Sequence, residues 1–165
     1  MDDTPHDPEA LKLLQQAIVE FVPHNHALGL AFHEVTQTTV TLRLPYDEKL
    51  VGNPLTGVLH GGAITTLLDA TCGASVYLKL RAPLPIATLD LRVDFLGKPP
   101  ARADVFVKAE CYHLTRSVAF VRATAWVDDE QAPFAAAAAT FALSTKGRAP
   151  APETTPWLSI WKMPP

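Results

Sequence analysis

Asp69 is the one acid in an otherwise apolar segment, and His60, Gly61 and Gly62 open that segment. The whole stretch reads GNPLTGVLHGGAITTLLDATCGAS, residues 52–75. A carboxylate set among apolar side chains has to be paired, protonated or put to use, because an isolated buried charge is costly. Thr65 and Thr66 carry hydroxyls that could pair it, which would make Asp69 structural. The other reading is chemical. Gly61 and Gly62 bring bare backbone to the start of a helix, where N–H groups lack intrahelical acceptors. Such donors suit a carbonyl oxygen that gains negative charge under attack. His60 and Asn53, just ahead of them, add hydrogen-bonding side chains. Backbone donors plus a desolvated carboxylate are the equipment for passing an acyl group to water.

Competing nucleophiles are poorly equipped. There is no GxSxG elbow, and Ser75 lies deep in the apolar segment. Cys72 and Cys111 have no CxxC spacing and read as two reduced, buried thiols. His24 and His26 lack a third ligand nearby in the sequence, so no metal and no cofactor is expected.

These groups need a scaffold. PEALKLLQQAIVEFV carries Leu11, Leu14, Ile18 and Phe21 at helical spacing, so residues 8–22 read as an amphipathic helix that Pro23 ends. Residues 28–45 read as two strands joined near Thr36-Gln37, and the stretch from Gly52 begins as a loop, with Asn53, Pro54 and Gly57 supplying turn chemistry. From Gly62 to about Leu80 the chain is apolar nearly all round, the mark of a buried helix. Four strands follow. In TLDLRVDFL, Leu89, Leu91, Val93 and Phe95 alternate with Asp90, Arg92 and Asp94, so the two sets should face opposite ways. ADVFVKAECYHL and SVAFVRATAWV follow, linked at Thr115-Arg116. PFAAAAATFAL could be helical on alanine propensity alone. Pro133 and the turn DDEQ bound it to hairpin length, and it reads as a strand whose small side chains let something bulky pack close. The sum is an α+β domain: a six-stranded antiparallel sheet around one long helix. From Ser144 onward the chain is proline-rich, with Trp157, Ile160 and Trp161 on one face of a helical turn expected to dock onto the body.

Composition narrows the function classes. Fourteen basic against 17 acidic residues give a net charge of −3, which argues against a nucleic-acid partner. No apolar run reaches the ~20 residues of a membrane helix. The acidic start MDDTPHDPEALKLL lacks the layout of a signal peptide, so a cytoplasmic location is expected.

With these residues in place, GNPLTGVLHGGAITTLLDATCG resembles the signature of hotdog-fold acyl-CoA thioesterases of the PaaI-like (phenylacetic acid degradation) group, within the 4-hydroxybenzoyl-CoA thioesterase superfamily. The similarity covers most of residues 28–143, the expected hotdog thioesterase domain, with residues 1–27 as an N-terminal helix and linker and 144–165 as the tail. The resemblance implies an acyl-CoA substrate and a homodimer, often paired into a dimer of dimers. It casts Asp69 as nucleophile or as base on water, and the Gly61 N–H as the donor to the thioester carbonyl. Asn53 and His60 match positions that shape that site, and Thr88 a hydroxyl position that helps hold the water; Gly62 is expected to contact the substrate. Arg116, Lys108 and Lys98 are the candidates for the coenzyme phosphates. Where many members carry Gly-Arg, this chain has Thr115-Arg116.

Two other functions share the fold. A hydratase or dehydratase uses an acid–histidine pair, but no histidine lies between His60 and His113. A non-catalytic acyl-CoA-binding module would keep the fold without the chemistry, and release of free thiol from acyl-CoA separates it from a hydrolase. Helix geometry adds one expectation. Gly61 and Asp69 are eight residues apart, about 12 Å along one helix, too far to serve one carbonyl. A two-fold interface that brings Gly61 of one chain to Asp69 of the other would make composite sites.

Overall fold

A computed structural model describes residues 12, 14–81, 84–98 and 101–143. The proline-rich tail with Trp157, Ile160 and Trp161, and most of the expected first helix before Leu14, lie outside the described residues. What is described of that helix ends in a π-turn at Gln16–Glu20. Pro23 does end it, and also opens a second, short helix, α1 (Pro23–Leu28). Proline suits the first helical position because its missing N–H would have no intrahelical acceptor. Val22 before it is extended, as a residue preceding proline must be. Gly29, at φ +72°, closes α1 in the left-handed conformation.

Two strands, β1 (Ala31–Val35) and β2 (Thr39–Leu44), form a hairpin, with Thr36 N–H bonded to Thr39 O at its turn. The segment expected to be a plain loop folds into a small hairpin of its own, β3 (Val51–Asn53) with β4 (Val58–Leu59). The long helix α2 follows, Gly61–Leu80, one residue earlier than expected. Then come β5 (Ile86–Phe95), β6 (Val105–Leu114), β7 (Val118–Trp126) and β8 (Ala135–Leu143). Six strands make one antiparallel sheet in the order β1-β2-β6-β7-β8-β5, so β5 forms an edge.

The core lies between α2 and the inner face of this sheet. Ile64, Leu67, Leu68, Cys72 and Val76 of α2 are wholly buried, as are Val40, Leu42 and Leu44 of β2 and Val105 and Val107 of β6. Each large side chain buried in this way contributes roughly 1.5–3 kcal/mol. The alanine run is a strand, with Ala135, Ala137 and Ala139 buried on the helix side. The expectation of a helix buried all round needs correction. Gly61, Gly62, Thr65, Thr66, Asp69 and Ala70 keep one side of α2 partly or fully open, because the sheet covers only the opposite side.

The strict alternation expected of β5 also fails, for an identifiable reason. Thr88 pairs with Phe141 and Asp90 with Thr140, so Leu89 is an extra residue with no partner of its own. This is a β-bulge, and it inverts the phase of the strand. After it, Leu91, Val93 and Phe95 pair with Ala139, Ala137 and Ala135, on the helix side. Before it, the helix side is taken by Ile86 and Thr88, opposite Leu143 and Phe141. Leu89 itself is 59% exposed rather than facing the core with Leu91.

The β3–β4 hairpin is clamped to the start of α2. His60 N–H donates to Leu50 O at 2.8 Å, and a Cβ built on Gly52 would lie 2.8 Å from His60 Cα. Backbone stands in the way, so Gly52→Ala must push the hairpin off the helix start. We expect a loss of about 1–3 kcal/mol of stability, read by chemical denaturation, accompanied by reduced activity.

Candidate active site

His60 caps α2. Its extended backbone (ψ 134°) turns the chain into the helix, and its Nδ1 accepts the Gly62 N–H at 2.9 Å. That bond fixes the neutral tautomer with the proton on Nε2, which stays available as a donor. It also requires glycine at 62, where a Cβ would approach Nδ1 to 2.9 Å. Of the two glycines expected to offer backbone donors, Gly62 therefore spends its N–H on the cap. The Gly61 N–H, first in the helix, finds no acceptor among the described residues.

Asn53 ends β3, and its Oδ1 accepts the Leu55 N–H at 3.0 Å while its carbonyl accepts from Thr56 and Gly57. The side-chain carbonyl thus shapes the hairpin tip and leaves the amide NH₂ without an acceptor among the described residues. Gly57 completes this tip at φ +72°, with its carbonyl accepting the Arg102 N–H.

Asp69 lies about two turns into α2. It is half-buried in the single chain rather than sunk in the core. Its partner is not Thr65 or Thr66, whose hydroxyls donate to Gly61 O and Gly62 O. Thr88 Oγ1 donates to Asp69 Oδ1 at 2.9 Å, which leaves Oδ2 unengaged among the described residues. The bulge at Leu89 makes this contact possible, since plain alternation would aim Thr88 away from the helix with Asp90. The Cys72 thiol, one turn on, is pushed up to about 12 by its burial and then by the Asp69 charge, so it stays protonated and inert. Burial raises Cys111 as well.

The cations separate into three places. Lys108 sits on the outer face of the sheet, away from α2. There it meets Glu130 at 2.8 Å and Glu34 at 3.9 Å, so its charge is already answered. Its expected role at the coenzyme phosphates does not fit that position. Arg116 is exposed in the β6–β7 turn, beside Ser117, whose carbonyl accepts from Leu143; it therefore lies toward the Ile86 end of β5. Lys98 is exposed just past the other end, near Phe95, whose ring lies 3.9 Å from a Cβ built on Gly61. Among the described residues no three His, Cys, Asp or Glu side chains are grouped to hold a metal, and no helix is long and apolar enough to cross a membrane.

A cleft opens beside this helix start. It is open to solvent, measures about 470 Å³ and runs between α1 and α2 with a lining part apolar and part polar, and with His60 and Gly62 in its wall. Periodicity could not have found it, because α1 itself was not legible as an element.

Residues 56–133 match the thioesterase superfamily. The medium/long-chain acyl-CoA thioesterase YigI of Escherichia coli is 30% identical over 146 residues, which cover 81% of this chain and 93% of that protein. A Halobacterium salinarum protein named as an esterase is 35% identical over 94 residues, 55% of this chain and 61% of that one. A Pseudomonas aeruginosa protein of known crystal structure superposes with a TM-score of 0.73 at 39% identity, covering 81% of this chain and 98% of its own. One helix held by a six-stranded antiparallel sheet is the hotdog fold, shared with these structures. The chain belongs to the thioesterase superfamily, a family of thioester-hydrolysing enzymes.

Proposed function

We propose that this enzyme hydrolyses the thioester of a medium- or long-chain acyl-CoA, with Asp69 as nucleophile or as base on water. The observation that carries the reading is the Thr88–Asp69 hydrogen bond on the open side of α2. It turns one carboxylate oxygen toward Thr88 and leaves the other for the reaction. The relative YigI supports the acyl class by its name, and the HGG-to-Asp spacing supports the PaaI-like subgroup.

In the reaction, the Gly61 N–H receives the thioester oxygen and takes up the charge that grows there. Asn53 Nδ2, from the tip of the β3–β4 hairpin, and His60 Nε2, from the helix start, are the proposed further donors. Asp69 Oδ2 either attacks the carbonyl carbon, expelling the coenzyme thiolate and leaving an anhydride that water cleaves, or removes a proton from the attacking water. Thr88 positions the acid.

One chain cannot bring these parts together, since Gly61 and Asp69 lie about 12 Å apart along α2. The unpaired edge of β5, with exposed Leu89, Phe95 and Leu96 beside it, suits pairing with the same strand of a second copy. Antiparallel pairing across a two-fold axis would set Gly61 of one chain near Asp69 of the other. It would also bring Lys98 of one chain to the end of β5 where the other carries Arg116, giving the coenzyme phosphates one cation from each. The reading is thus a cytoplasmic homodimer, alone or paired again, with two composite sites.

Free thiol released from a series of acyl-CoAs tests the activity; binding without release would make the protein an acyl-CoA-binding module. For the phosphate contact, Arg116→Ala should raise KM for acyl-CoA severalfold. A truncated thioester lacking the nucleotide should be nearly unaffected. Equal losses on both substrates would remove Arg116 from the coenzyme site.

A further inference from the structure

The cavity between α1 and α2 has no part in the steps above, yet it begins where they take place. His60 and Gly62, the neighbours of the Gly61 donor on either side, form its wall at the helix start. Leu28 of α1, Leu50, Val51 and Ala63 of α2 give the lining its apolar part, and Lys49 adds a cation beside them. Beyond Ala63, Thr66 reaches across to α1, where His24 Nε2 lies 3.4 Å from its hydroxyl. Thr66 already donates to Gly62 O, so the imidazole N–H is the donor in this contact.

α1 is a firm wall for so short a helix. Proline sets its start and the left-handed Gly29 its end. Buried Asn25 ties it to the preceding segment, donating from Nδ2 to Ile18 O at 2.8 Å. The size is that of a small-ligand cleft. At the ~30 Å³ that a water-sized unit occupies in a liquid, a cleft of about 470 Å³ takes at most on the order of fifteen methylene-sized units.

Resting on the proposed hydrolysis, we infer that the acyl tail runs from the Gly61 donor into this cavity, and that α1 is its length gauge, with Leu28 on the side and the His24–Thr66 contact across the path. A carbonyl held at Gly61 has its tail beside Gly62 and Ala63 from the first carbons on. Apolar lining rewards each added methylene by about fourfold in affinity while room lasts. Preference should therefore climb with chain length and then stop.

Two variants narrow the cavity from opposite walls. Leu28→Trp acts from α1, where the side chain is half-buried; Ala63→Phe acts from α2. The parent and both variants, checked for folding by circular dichroism and thermal melting, are compared in kcat/KM on butyryl-, octanoyl-, decanoyl- and hexadecanoyl-CoA. Binding of decanoate is measured separately by calorimetry. The decanoyl-to-butyryl ratio should fall at least tenfold in either variant, and decanoate binding should weaken by a similar factor. A folded Leu28→Trp that keeps the parental length profile and the parental decanoate affinity overturns the inference. If the parent binds decanoate and the variants lose it while no acyl-CoA is cleaved, the pocket stands and the hydrolase reading falls. If the parent neither cleaves acyl-CoA nor binds decanoate, both fall.

Discussion

Asp69→Asn should lower kcat by about 10²-fold or more while leaving the protein folded. The substitution keeps the shape of the side chain, and its Oδ1 can still accept the Thr88 hydroxyl at the same place. What disappears is the charge, and with it both the nucleophile and the base. Because the side chain is half-buried and bonded to an exposed threonine, the folded state has little reason to notice the change. Thermal melting should stay within a few degrees of the parent, so the lost activity reports on chemistry alone. Turnover of the best substrate at close to the parental rate would show that Asp69 is structural after all.

A second large effect is expected from mixing two dead enzymes. Gly61→Pro removes the proposed carbonyl donor at a place that accepts proline. It is the first residue of α2, His60 before it is extended, and the nearest outside atom to a Cβ there is 3.9 Å away. Asp69→Asn removes the acid. Each variant alone should be nearly inactive, since every site in its dimer lacks one of the two parts. Refolded together in equal amounts, half of the dimers carry one chain of each kind. Each of those has one intact site and one doubly defective site, so activity should return to about a quarter of the parent by this counting. Sizing confirms that dimers form, and tagged chains confirm that they mix. Mixed dimers that stay inactive would place each site within one chain, and a protein that is monomeric while active would do the same.

Much of the scaffold could be read from residue types. The period of TVTLRL gave β2, and Pro133 with the DDEQ turn held the alanine run to a strand against its helical propensity. α2 was legible from its unbroken apolar character, and Gly61 and Asp69 from their contrast with it. Other features depend on packing. α1 follows from Pro23 doing two jobs, ending one helix and starting another, and a breaker shows only the first. The half-open position of Asp69 depends on which side of α2 the sheet covers, and an apolar helix gives no sign of that. Lys108 was a plausible phosphate ligand by charge, but strand parity sends it to the outer face and Glu130. Thr88 was suggested by family resemblance, whereas its own strand pattern assigned it to the wrong face.

The bulge in β5 has a consequence for how this protein tolerates change. Leu89 matters by being there rather than by what it is. Its side chain is largely exposed, and other residues in its place would still set Thr88 and Leu91 on the same side of the strand. Removing the residue is different in kind. The two halves of β5 would fall into one phase: either Thr88 turns away from Asp69, or Leu91 and Val93 lose their packing against the core. Since the apolar half holds the edge of the sheet, Thr88 is the residue that gives way. A strand of nearly unchanged composition would then still fold, and its acid would have lost the hydroxyl that aims it. At this point of the chain, counting carries the information that side-chain identity carries elsewhere.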